Sequence, residues 1–334
     1  MNPSDPGPCP GEFDLIRRYF SFSKTSYTFG VGDDCAYIRQ NEGSWLAVSC
    51  DTLNEGVHFF PDTSAADVAY KALAVNLSDL AVSGAVPLGF FLALSLPIAS
   101  DSWLGAFSES LKSVSQQYGC PLLGGDTTRT SGPLSITITI LGMTQTPVRR
   151  CGAREGDDLW VSGYLGLASA ALNLRLKGGC PVPSEAAGKM DHPVPRLLLG
   201  QKLAPMIHAA CDVSDGLLGD LSHIAKASRL ACEVNVDALL WHPSLKAMRT
   251  TLSEKELLAG ILTGGDDYEL LFAAPHESRN DILALSEPDL PLTRIGSFTK
   301  GCGLSLTGSF ATFFLDGFNG PLGFDHFVRR DENA

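Results

Sequence analysis

The chain has 334 residues, 44% of them apolar and 19% charged, with 37 acids against 25 bases for a formal charge of −12. That length exceeds what one core usually organises, so two domains are expected, and the composition excludes a disordered chain. The acidic balance repels nucleic-acid phosphates and anionic lipid, which excludes both as partners.

The first residues, MNPSDPGPCP, lack the basic and apolar regions of a secretory signal. LAVSCDTL (46–53) is rich in residues suited to a strand. SAADVAYKALAVNLSDLAVSG (64–84) carries an apolar stripe at Ala69, Leu73, Leu77 and Leu80. Ser64 can cap that helix and Gly84 can end it. GFFLALSLP (89–97) reads as a buried strand, because the apolar run around it is too short and Pro-broken to span a bilayer. A helix follows at 102–119, and SITITILGM (135–143) reads as a strand. The pattern lapses in TPVRRCGAREGDD (146–158), which sets the expected boundary between domains 1–148 and 149–334; GDD there is assigned to a turn. The second half reads as strands at 159–166, 232–239, 268–275 and 292–299, with helices at 167–177, 195–209, 216–229 and 277–286. Helices and strands do not alternate strictly, so two mixed α+β domains are expected rather than a doubly wound parallel sheet.

Aspartates recur beside glycines. Asp33 and Asp34 stand in GVGDDCA, Asp51 ends a strand, and Asp79 lies late in the first long helix. Asp126 follows Gly124-Gly125, Asp212 and Asp215 flank Ser214, and Asp266-Asp267 follow Gly264-Gly265. Any one of them could be a turn former. Their number carries the case, since short oxygen donors beside approachable backbone suit Mg²⁺, and Mg²⁺ suits a polyphosphate such as ATP. Ser214 and Asp215 fall where a helix begins, a place that favours anions or a simple cap. Arg129, Arg149 and Arg150 could grip phosphate or lie at the surface. His58 could contact substrate or simply pack. There is no P-loop, no kinase signature set and no nucleophile elbow. The nine cysteines form no C-x-x-C pair, which points to a reducing cytoplasm.

In this order, GEFDLIRRYF (11–20), GVGDDCA (30–36), SCDTLNEGVHF (49–59), YKALAVNLSDLAVSGAVP (70–87), GGDTTR (124–129), CDVSDGL (211–217), GGDDYELLF (264–272) and GFDHF (323–327) resemble the thiamine-monophosphate kinase family. The resemblance implies that the N-terminal domains pair in a homodimer to form a shared β-barrel. It implies transfer of the γ-phosphoryl group of ATP to thiamine phosphate. By motif, Asp34, Ser49, Cys50, Asp51, Asp79, Asp126, Asp212 and Asp215 would serve a cluster of Mg²⁺ ions. Gly125, Asp126, Arg150 and Ser214 would contact ATP, and His58, Asp266 and Phe324 would line the thiamine phosphate pocket. No side chain is expected to act as a general base, because the acceptor phosphate is already ionised. The family usually has threonine at Cys50 and glutamate at Asp266. Cys9 lacks the nearby lysine that the related selenophosphate synthetases would require.

Overall fold

The computed structural model describes residues 11–21, 28–316, 318 and 320–327; the opening MNPSDPGPCP, Cys9 included, lies outside them. The first half builds β1 (Thr28–Phe29), β2 (Ala36–Arg39), β3 (Trp45–Asn54), α1 (Ala65–Val82), β4 (Val86–Leu96), α2 (Asp101–Gln117), β5 (Leu122–Arg129) and β6 (Ser135–Thr144). These strands form one sheet in the order β1-β2-β3-β6-β4-β5. All neighbours are antiparallel except β4 and β5.

The second half builds β7 (Asp158–Ser162), α3 (Leu167–Lys177), α4 (Ser184–Asp191), α5 (Leu197–Leu203), β8 (Ala209–Asp212), α6 (Leu217–Ser228), β9 (Ala231–Asn235), α7 (Glu254–Thr263), β10 (Leu270–Ala274), β11 (Leu292–Thr299) and β12 (Gly303–Thr307). Its sheet runs β12-β9-β11-β7-β10-β8. Only the β9–β12 pair is parallel. Each half is therefore a mixture of helices on a mostly antiparallel sheet, as the sequence led us to expect.

Helix α1 joins the two halves and carries much of the site. Ser64 caps it, its hydroxyl oxygen accepting from the Asp67 amide. The stripe Ala69, Leu73, Leu77 and Leu80 is fully buried, and so are Asn76 and Ser78 on the other faces, with Asp79 buried but for an edge at the cleft. A helix this enclosed is sandwiched, here between its own sheet and α5 of the second half. The contact with α5 is close because Gly200 is there: a Cβ on it would stand 1.8 Å from the Ala81 carbonyl oxygen. The first core continues across this joint into Trp160, Leu197, Leu203 and Phe272.

Four expectations need correction. LLGGDTTRT, which the sequence reading assigned to no element, is in addition the edge strand β5. Its Gly125 is there for strand spacing, since an added Cβ would meet the Leu92 carbonyl oxygen at 1.8 Å. The helix expected over 195–209 stops at Leu203, and β8 follows because its AACD pairs with β10. The strand expected over 232–239 ends at Asn235, whose side chain accepts from the Asp237 amide and starts a 3-10 turn. Of GDD at 156–158 only Gly156 lies in a turn, with Glu155, and Asp158 opens β7, buried and paired with Arg279 at 2.5 Å and Arg294 at 3.3 Å. Lastly, β4 buries one face only: Val86, Leu88 and Phe91 are 56%, 47% and 43% exposed on the other. Among the described residues the first sheet is open, with β5 at its edge, so no barrel closes within one chain.

Candidate active site

The acids converge from four elements. The loop between β1 and β2 brings Asp33 and Asp34, β3 brings Ser49 and Asp51, α1 brings Asp79, and the end of β8 brings Asp212. Asp34, Asp79 and Asp212 each offer a carboxylate oxygen within 4.8 Å of the other two. Hydroxyls hold this set: Ser49 donates to Asp79, and Ser78 donates to Asp212 at 2.5 Å. The Asp51 amide donates to Asn76 Oδ1 at 3.1 Å, which fixes β3 against α1. Asp51 and Asp215 line the same cleft, a cavity of about 1520 Å³ between the halves of the chain.

Burial dominates the electrostatics here. It pushes the Asp79 carboxyl well above its ordinary value of 3.8, with the charges of Asp51, Asp212 and Asp34 adding to the effect. Burial and then Asp34 raise Asp212 to about 7. Burial and then Asp34 raise Asp51 to about 6, and burial and then Glu12 raise Asp215 to about 7. Carboxylates crowded like this hold protons near neutral pH unless a cation replaces them. The donors are short, all-oxygen and convergent, so the residues present fit Mg²⁺.

Asp33 and Asp34 are reconciled by arginine as well. Asp33 accepts from Arg149 Nε at 2.8 Å and from the Arg150 amide at 3.0 Å. Asp34 takes Arg150 through Nη2 at 2.6 Å and Nε at 3.3 Å. The two adjacent carboxylates thus face different cations, and only Asp34 also joins the acidic cluster.

Arg150, Ser214, His58, Asp266 and Phe324 all line the cleft. The loop of Asp266 runs beside the Ser214 turn, with the Asp266 amide donating to the Ser214 carbonyl at 2.9 Å. His58 Nδ1 accepts from the Asn54 amide at 2.9 Å, and burial lowers its pKa, aided by nearby His326. Neither Ser214 nor Asp215 caps α6: its N-cap is Gly216, with no side-chain cap. The amides of Asp215 and Gly216 instead donate to Asp220 Oδ2, each at 3.1 Å, so they are already taken. Gly125 and Asp126 are not among the cleft-lining residues. They sit exposed on β5, where Asp126 accepts from the Thr127 amide at 2.9 Å. The Cys50 thiol is exposed and accepts from the Thr139 hydroxyl at 3.3 Å, turned to the open face of the sheet.

Residues 32–144 match the AIR synthase related protein, N-terminal domain, and residues 154–309 match its C-terminal domain. The chain is 42% identical to the thiamine-monophosphate kinase of Salmonella typhimurium over 332 residues, spanning 95% of this chain and 98% of that protein. The chain belongs to the thiamine-monophosphate kinase family. Its fold superposes on that of the thiamine-monophosphate kinase from Stenotrophomonas maltophilia with a TM-score of 0.75 at 42% identity, covering 85% of this chain and 92% of that one. It also matches AaThiL complexed with AMPPCP and TMP, with a TM-score of 0.82 at 30% identity over 95% and 97% of the two chains.

Sequence reading of this kinase-family chain missed Lys71, Tyr268, Asp220 and His326. Lys71 had a visible signal: it is the one charged residue in the run YKALAVNLS, on a helix whose neighbours are buried. Asp220 and Tyr268 act on backbone and carboxylate atoms brought together only by the fold. His326 lies 5.1 Å from the His58 ring although 268 positions separate them in the chain, so no local pattern could pair them.

Proposed function

We propose that this protein transfers the γ-phosphoryl group of ATP to thiamine phosphate, giving thiamine diphosphate and ADP, the last step in making that cofactor. The observation that carries the reading is the buried triad Asp34, Asp79 and Asp212 at the floor of a cleft large enough for two ligands. Relatives over nearly the full length are named for this kinase activity, and AaThiL was solved with AMPPCP and TMP.

Asp34, Asp79 and Asp212 would hold Mg²⁺, with Asp51, Asp215 and Ser49 beside them and residue 50 limited to its carbonyl. When bound, Mg²⁺ supplies charge neutralisation between two anionic phosphates. The chain's own groups do the positioning. Arg150, fixed by Asp34, faces the cleft where ATP phosphates would lie, and Ser214 lines the same cleft. His58, Asp266 and Phe324 receive the thiamine phosphate. Its phosphate is already ionised, so no side chain has to remove a proton, and alignment of acceptor oxygen with phosphorus carries the rate.

The domains are read as 1–148 and 149–334. A second copy would cover the open face of the first sheet, where Val86, Leu88, Phe91, Leu122 and Leu123 are exposed. Two such sheets would close the shared barrel. Gly125 and Asp126 lie on the strand at that face, so we assign their ATP and metal roles to a cleft completed by the pairing. The eight described cysteines are free thiols, which suits a reducing cytoplasm. No helix among the described residues is long and apolar enough to cross a membrane.

The test is to incubate the protein with ATP, Mg²⁺ and thiamine phosphate and to separate the products. One thiamine diphosphate should form per ADP, with unphosphorylated thiamine inert. ATP consumed only with some other acceptor, or not at all, overturns the reading.

A further inference from the structure

We propose that Lys71 is the positioning residue that sets Asp266 and the His58 loop against the thiamine phosphate, locking the two halves of the substrate pocket together. This inference rests on the thiamine phosphate reading above.

The Lys71 side chain is 5% exposed, on the face of α1 toward the second half of the chain. Its Nζ lies 2.8 Å from Asp266 Oδ2 and donates to the His58 carbonyl oxygen at 3.2 Å. One nitrogen therefore grips both polar residues assigned to the substrate, and they come from opposite ends of the sequence. The other Asp266 oxygen accepts from the Tyr268 hydroxyl at 3.1 Å. Asp266 is thus held at both oxygens, yet its side chain remains 34% exposed, toward the cleft that it lines.

The backbone at this point is under constraint. Asp266 adopts φ +67° and Tyr268 φ +49°, both left-handed positions unusual for side-chain-bearing residues. The loop cannot drift away from the Ser214 turn, because the Asp266 amide donates to Ser214 and the Tyr268 amide to Val213 at 2.9 and 2.8 Å. Nor can it be built without glycine at 265, where a Cβ would lie 2.2 Å from the Ser214 carbonyl oxygen. With the main chain fixed, the direction of the short aspartate is decided by what grips its oxygens. Lys71 sits outside the residues that line the cleft, so it acts on substrate through Asp266 and His58 rather than by touching it.

The experiment is a double-mutant cycle with steady-state kinetics in both substrates. Lys71→Met and Asp266→Asn should each raise KM for thiamine phosphate about tenfold or more, with kcat changed less and KM for ATP unchanged. The double variant should be no worse than the more damaged single one, because both changes cut the same link. Lys71→Gln, which keeps a donor and loses the charge, should fall between wild type and Lys71→Met, and it carries the test if the methionine variant does not fold. An unchanged KM for thiamine phosphate in the Lys71 variants, or fully multiplicative losses in the double variant, overturns the proposal. A wild-type protein that makes no thiamine diphosphate refutes the function instead, so the two failures are told apart.

Discussion

Asp212→Asn should make the metal-free protein more stable while removing its response to Mg²⁺. In the folded chain Asp212 is buried, and its pKa is raised from 3.8 to about 7, first by burial and then by Asp34. A raised carboxyl favours folding while it is protonated, and that contribution disappears as pH climbs through the folded-state value. Wild-type stability in EDTA should therefore decline between about pH 4 and pH 7. At ~1.4 kcal/mol per pH unit between 3.8 and about 7, the penalty at pH 8 is on the order of 4 kcal/mol. Asparagine removes the charge and can still accept from Ser78. At ~2 °C per kcal/mol, the gain in melting temperature is bounded near ~8 °C at pH 8. At pH 5 the folded wild type keeps the proton while the unfolded chain has mostly lost it, a cost of only about 2 kcal/mol, so the gap between the two proteins should narrow to ~3 °C, and it should vanish below pH 4. Adding Mg²⁺ at pH 8 should raise the wild-type midpoint and leave the variant nearly unmoved. The assay is thermal unfolding in EDTA and in Mg²⁺ at both pH values. A variant that melts lower than wild type at pH 8 in EDTA, or that gains as much from Mg²⁺, refutes the reasoning.

Arg150→Met removes the fork that holds Asp34 and leaves a buried carboxylate alone. Chemical denaturation should show a loss of ~3–5 kcal/mol, with weaker ATP binding by calorimetry. Gly125→Ala drives a methyl into the Leu92 carbonyl 1.8 Å away, so β5 must separate from β4; faster amide exchange along 122–129 would report it. Phe91→Lys places a charge on the exposed face of β4, and sedimentation should show this variant as a monomer and the unaltered protein as the proposed dimer. A dimer unaffected by this change would move the interface elsewhere.

Most strands and helices could be read from the sequence because their side chains obey one period. Helix α1 is the clear case, with Ser64 at its cap and Leu73, Leu77 and Leu80 buried as the spacing requires. The failures share a cause. β8 is four residues long and β5 carries two glycines, and both are strands only because a neighbour pairs with them. At the site, the aspartates announced themselves through glycine-rich surroundings and a full-length family resemblance. Which of them converge did not follow from spacing: Asp33 turned to the arginines, while Asp126 stayed on an open edge. Lys71 stood out as the one charge in YKALAVNLS, but its partner could not be read, because Asp266 is 195 positions away.

Binding of Mn²⁺, read by electron paramagnetic resonance in the presence of a non-hydrolysable ATP analogue, probes the acidic triad most directly. The wild type should sequester the ion tightly, and Asp79→Asn should release it to the free signal at the same concentrations while keeping its fold by circular dichroism. Equal sequestration by both proteins would mean that these carboxylates do not gather the cations, and the proposed chemistry would have no centre.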